Sequence, residues 1–116
     1  KFRISDALMS IYKLFWDDYC SWYLELIKPA YGQPIDKATY TETLGFFEAL
    51  LKMIHPVMPF ITEELWQDMA ERKEGETIMF QSTPKAEAYD AAFISSFELA
   101  EEAVNAVRSI RQQKNI

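Results

Sequence analysis

Apolar side chains recur along this chain with the step of an α-helix, in four separate stretches. From the start they fall at Ile4, Leu8, Ile11, Phe15, Tyr19, Trp22 and Leu26, steps of four and three that line one helical face. Ser5 is placed to cap this helix and Asp6 to sit in its positive first turn; Lys28 lies near the negative end, and Pro29 stops it. Residues 29–35 contain Gly32 and Pro34 and read as a loop. Asp36 then caps a second helix carrying Tyr40, Leu44, Phe47, Leu51 and Ile54 on one face. Gly45 inside that helix costs about 1 kcal/mol relative to alanine, which predicts a neighbour packed closely against it.

Between the second and third helices lies an elbow, His55-Pro56-Val57-Met58-Pro59. Pro56 ends one helix, and Pro59 suits the first turn of the next, where its missing N–H is no loss. Glu63 and Glu64 then fall near the positive end of the third helix, and Phe60, Ile61, Leu65, Trp66 and Met69 form its expected buried stripe. Residues 72–88 are the least regular part. Glu71 to Glu76 read as a solvated turn, Ile78-Met79-Phe80 as an extended apolar strip, and Pro84 closes the segment. A last helix starts near Asp90, with Phe93, Phe97, Ala100, Val104 and Val107 at helical spacing. Its acids, Glu98, Glu101 and Glu102, precede its bases, the polarity that the helix dipole favours. Long helices with short connections predict an all-α fold, an antiparallel bundle of about four helices with one irregular loop segment, and residues 1–116 as a single domain.

Composition sharpens this picture. The chain has 116 residues, 49% of them hydrophobic and 15% aromatic, enough apolar surface for one core, while 3 glycines and 5 prolines suit helices better than a turn-rich β sandwich. The chain opens on Lys-Phe-Arg rather than Met and stops on Lys-Asn-Ile, so both ends read as cuts through something longer. No apolar run approaches the ~18 residues of a membrane span, and no signal peptide is visible. One cysteine, Cys20, excludes an internal disulfide and makes a cysteine-based zinc site implausible; a reducing cytoplasm is the natural inference. The net charge of −6 argues against non-specific nucleic-acid binding, so any RNA contact must be local. The one all-basic stretch follows Val104: Arg108, Arg111 and Lys114, with no acid among them.

Catalytic chemistry finds little support. His55 is the only histidine, and Glu63 and Glu64 follow it past two prolines, not at the spacing that puts metal ligands on one helical face. A structural role at the elbow suits it better. Asp17 and Asp18 are adjacent, about 100° apart on a helix, and cannot share one proton. Three scattered glycines make no phosphate loop. No catalytic residue and no metal ligand set is predicted. Trp16, Trp22, Trp66 and the tyrosines could stack on unpaired bases, yet most sit at core spacing; Trp16 and Tyr23 fall off the main stripe and are the better candidates for exposure. Arg108, Arg111 and Lys114 spread over about a third of a helix circumference, either as a solvated helix end or as a phosphate contact.

The elbow matches a known pattern. His55 to Gln67, HPVMPFITEELWQ, resembles the HPxMPF–TEELWQ signature of valyl-tRNA synthetases, and every fixed position is met, including Pro56, Pro59, Glu64 and Trp66. Phe15 to Lys28 is similar to that family's WDEFCDWYLELxK, with Asp18, Tyr19 and Ser21 departing from it. Ile78-Met79-Phe80 followed by Pro84 resembles its SIM…WP segment without the tryptophan, and Val107 to Arg111 resembles its IRxIR stretch. The resemblance runs in order along nearly the whole chain. Isoleucyl and leucyl enzymes share the architecture with a different residue pattern at the elbow.

The resemblance implies an anticodon-binding helical bundle that follows a class I catalytic domain. It implies a parent that activates valine with ATP and Mg²⁺ and charges tRNA(Val), while this piece holds no cofactor and does no chemistry. The HIGH and KMSKS signatures of the catalytic domain do not occur in these residues. The implied partners are tRNA(Val) and the catalytic domain and C-terminal coiled coil of the same polypeptide, with no membrane. Arg108, Arg111 and Lys114, then Lys28, are the expected tRNA contacts; His55, Pro56, Pro59, Glu64 and Trp66 are structural. A helical protein–protein adaptor is the competing reading, supported by the acidic surface and the absent catalytic residues.

Overall fold

A computed structural model describes residues 3–115, and every regular element among them is helical. Helix α1 spans Ile4–Lys13 and passes without a break into a π-helical stretch, Leu14–Tyr23, and a last α turn, α2, Leu24–Leu26. Helices α3 (Lys37–Ile54) and α4 (Pro59–Asp68) flank the elbow, a 3₁₀ turn covers Ile78–Phe80, and α5 spans Ala91–Lys114. The all-α class is as expected, with no strand among the described residues. The chain divides into two compact units, residues 1–84 and residues 85–116.

In the first unit the opening helix departs from its expectation twice. Its cap is Arg3 rather than Ser5, with no capping side chain; the Arg3 guanidinium instead holds Asp6 at 2.6 Å, and the helix begins two residues ahead of the expected cap. From Leu14 the backbone widens to i→i+5 bonding. The Leu24 N–H reaches the Tyr19 carbonyl, and the Ser21 hydroxyl donates to the Trp16 carbonyl at 2.8 Å. Tyr23, expected off the stripe, follows Tyr19 onto α3. The Tyr19 and Tyr23 rings stack at 5.6 Å, and their hydroxyls meet Thr43 at its carbonyl (3.0 Å) and its side chain (3.2 Å). Burial and the neighbouring Tyr23 raise the Tyr19 pKa. Phe15 and Tyr19 pack on Phe47, and Tyr23 meets Phe46 edge-on. Trp16 stays 55% exposed, stacked on Tyr12.

Asp36 caps α3 as expected, its carboxylate accepting the Thr39 N–H at 2.9 Å, and hydrogen bonding from the Thr39 side chain, then from this N–H, holds its pKa down. The core of the first unit is Leu51, Trp66 and Ile78, with Phe47, Leu65 and Met69 against it and Leu50 and Thr62 also buried. The stripe expected on α4 is therefore partly wrong. Phe60 is 89% exposed and Ile61 is exposed too, whereas polar Thr62 is buried. Thr62 can be buried because its hydroxyl donates to the Met58 carbonyl at 2.8 Å, which removes the cost of an unpaired polar group. Ile78-Met79-Phe80 forms a tight 3₁₀ turn rather than an extended strip, begun by the Thr77 hydroxyl accepting the Met79 N–H. The turn puts Ile78 in the core and leaves Met79 and Phe80 exposed.

The second unit, taken by itself, is one long amphipathic helix. Asp90 caps it, accepting from the Ala92 and Phe93 N–H groups at 2.9 and 3.1 Å, and Asn115 closes it in the left-handed conformation with φ of 53°. None of its residues is buried.

Gly45 was expected under a close neighbour, and it has none: a Cβ there would meet no atom within 4 Å. Gly45→Ala therefore stabilises the 116-residue chain by about 1 kcal/mol through helix propensity, read as a raised denaturation midpoint with an unchanged slope. A loss of stability would reveal a contact at that position.

Candidate nucleic-acid interface

The basic residues singled out by sequence fall into two places. Arg108, Arg111 and Lys114 lie on the final turns of α5, all exposed, with Arg111 and Lys114 in its last turn beside the negative end of the helix dipole. Val104, Val107, Arg108 and Arg111 together border a shallow depression on this helix, an apolar floor with a cationic edge. Lys28 belongs to the first unit, just past α2, and its ammonium is paired with Glu25 at 2.5 Å in the open. An exposed pair of that kind is worth little, so Lys28 can exchange Glu25 for another anion at small cost.

The elbow residues are brought together as a structural joint. His55 closes α3, and Pro59 sits in the first turn of α4. His55 Nδ1 and the Thr62 hydroxyl share a hydrogen bond of 2.7 Å, beside the Thr62 contact to the Met58 carbonyl at 2.8 Å. His55 thus locks the start of α4 against the end of α3. Glu64 is exposed, and Trp66 is the most deeply buried ring, 1% exposed. Its indole N–H donates to Glu48 on α3 at 2.9 Å, and the Arg72 guanidinium lies 3.6 Å over the ring centre.

Three residues to which the sequence assigned no such role, Glu48, Glu63 and Arg72, hold this joint. Glu48 takes both the Trp66 N–H and the Lys52 ammonium, the latter at 3.0 Å, and the Trp66 bond leads in holding its carboxyl below the usual range. Glu63, expected to serve the helix dipole, lies beyond the first turn of α4 and reaches out to the irregular segment instead. It accepts from Gln67 at 2.7 Å, from the Thr77 hydroxyl and from the Ile78 N–H at 3.1 Å, bonds that depress its pKa with Gln67 the largest cause. Arg72 stacks on Trp66. Helical periodicity pointed to none of these pairs, because Glu48 lies on α3 and Arg72 and Thr77 lie past the end of α4.

Among the described residues, no three His, Cys, Asp or Glu side chains group as a metal site. Cys20 is a half-buried free thiol on the π-helical stretch. What the chain offers is a stiff helical frame with a basic helix end.

This chain belongs to the family of anticodon-binding domains of tRNA ligases, whose model matches residues 1–116. It is similar to proteins named valine–tRNA ligase. The one from Parabacteroides distasonis is 59% identical over 116 residues, and that from Phocaeicola vulgatus is 60% identical over the same length. The Listeria monocytogenes protein is 36% identical over 120 residues, with 99% of this chain covered. The chain spans about 13% of the length of these relatives.

The two carboxylates predict an acid-labile joint. A group whose folded pKa is depressed adds stability above its unfolded value, about 4.3 for Glu, and loses it as pH falls through the folded value. Stability of the chain should therefore be level near neutrality and fall below about pH 4.3, in part through Glu63 and Glu48. Glu63→Gln keeps the acceptor oxygen for Thr77 and Ile78 but removes the titration, so urea midpoints at pH 7 and pH 3 should lie closer together in the variant. An unchanged gap would remove Glu63 from this account.

Proposed function

We propose that this chain is the anticodon-binding domain of a valine–tRNA ligase, its two units working as one domain on tRNA(Val). The observation that carries this is the family match along the whole chain, together with a fold that supplies helices and a basic helix end but no reactive constellation. The longer polypeptide activates valine with ATP and Mg²⁺ elsewhere, in its catalytic domain, and works in the cytoplasm. No helix among the described residues is long and apolar enough to cross a membrane. Within the ligase the domain has three partners: tRNA(Val), the catalytic domain, and the C-terminal coiled coil of the same polypeptide.

The mechanism follows from the charge distribution. An acidic domain of net charge −6 repels a phosphate backbone in general, so only the local basic surface admits it. Arg108, Arg111 and Lys114 supply phosphate contacts at the end of α5, with Lys28 a further cation from the first unit. Such contacts set register and orientation, and unpaired anticodon bases are then read by stacking and by hydrogen bonds to their edges. The domain raises charging of the correct tRNA by fixing where its acceptor end falls, without touching the reacting atoms.

Arg108→Ala with Arg111→Ala in the full-length ligase tests this. The expected result is a rise of about tenfold in the KM for tRNA, a loss of about 1.4 kcal/mol, with KM for valine and ATP unchanged. The salt dependence of tRNA binding should also become shallower by about two phosphate contacts. Equal changes for all three substrates would point to a folding defect, and no change for tRNA would remove these arginines from the interface.

A further inference from the structure

We propose that the exposed ring pair Tyr12 and Trp16 on the first unit is a stacking platform for an unpaired base of the bound tRNA, with Lys13 beside it for a neighbouring phosphate. The inference rests on the functional reading above and deepens it, naming side chains for a base contact that the basic end of α5 does not supply. Trp16 and Trp66 are opposites. Trp66 is buried with its N–H on Glu48, and it serves the core. Trp16 is 55% exposed and Tyr12 53%, with ring centroids 6.5 Å apart and planes within 8° of parallel. Among the described residues no acceptor takes up the Trp16 indole N–H. Four residues separate the two rings, so they share one helical face. A pair at that spacing stabilises a helix only slightly, and Trp and Tyr form helices less readily than Ala, Leu or Lys. Helix stability therefore does not explain two large rings in water. The backbone under Trp16 is held as well. It lies near the start of the π-helical stretch, where its carbonyl accepts from the Ser21 hydroxyl at 2.8 Å. Widened turns of this kind are frequent at functional sites. A ring presented on a fixed turn binds with little ordering cost.

The surroundings select the occupant. Every base has a π-face, so an aromatic platform accepts an unpaired base of any kind, and proteins read single-stranded RNA largely in this way. Lys13 is exposed three residues before Trp16, on the same face, where it can meet the phosphate of a stacked nucleotide. Asp17, exposed next to Trp16, repels phosphate but can accept from an amino group on a base edge. A protein partner suits this surface poorly. Beside the rings it carries Met9, Lys13 and Asp17, one apolar side chain and two opposite charges, whereas a protein interface has a wider apolar core. The family match supplies the RNA, since these domains belong to tRNA ligases.

Binding of tRNA(Val) to the full-length ligase carrying Trp16→Leu or Trp16→Phe tests the proposal. Leucine keeps the apolar bulk and loses the π-face, whereas phenylalanine keeps a ring. Trp16→Leu should weaken tRNA binding about tenfold and Trp16→Phe less than about threefold. Neither should move the urea midpoint, and the salt dependence of binding should keep its slope, because a stacked base releases no counterion. A set of tRNA(Val) molecules, each lacking one unpaired base, then finds the occupant: for one of them the unaltered ligase and Trp16→Leu should bind alike. Undiminished binding by Trp16→Leu, or the same loss with every abasic tRNA, overturns the platform and leaves the functional reading standing. A urea midpoint that falls in step with tRNA binding overturns it in favour of a packing role. An unaltered ligase that binds tRNA(Val) no better than its abasic forms overturns the functional reading itself.

Discussion

Burial of the Trp66 ring is the constraint on which the first unit depends. The ring sits on Leu51 from α3 and Ile78 from the 3₁₀ turn, its N–H is held by Glu48, and Arg72 covers its face. These partners come from three parts of the chain: α3, the segment after α4 and the 3₁₀ turn. Removing a large ring from water contributes roughly 1.5–3 kcal/mol, more than any exposed ion pair in the molecule. The bond to Glu48 matters for a second reason: an indole N–H buried without a partner would cost about 1–3 kcal/mol. Around this centre the elbow fixes the angle of α4, and Glu63 brings the irregular segment down so that Ile78 can reach the ring.

Under the proposed function, a joint of this kind suits a domain that orients its tRNA, and Arg108, Arg111 and Lys114 on α5 set the register of the bound RNA. The acidic remainder of the surface adds selectivity by disfavouring phosphate elsewhere.

Much of this was legible in the sequence wherever the controlling interaction is local. The caps of α3 and α5 could be read directly, because Asp36 and Asp90 act on N–H groups two or three residues away. Pro59 in the first turn of α4 follows from the proline ring itself. The π register of Leu14–Tyr23 could not be read, because apolar steps of four and three fit an α-helix and nothing in them marks the wider turn. The α4 stripe failed at its first turn, where Phe60 and Ile61 project outward and Thr62, whose hydroxyl is satisfied by its own helix, goes in. The basic cluster at Arg108, Arg111 and Lys114 was legible as a cluster. Which of its members meets RNA depends on shape and charge matched across two molecules, which the spacing of one chain does not encode.

The central claim, that the first unit is organised on Trp66 rather than on the whole apolar stripe of α4, is tested most directly by comparing two deletions in urea unfolding. Trp66→Ala should lower stability by about 3–5 kcal/mol, while Phe60→Ala, seven-eighths exposed in the fold, should cost no more than about 0.5 kcal/mol. Equal losses at the two positions, or a smaller loss at Trp66, would contradict the account.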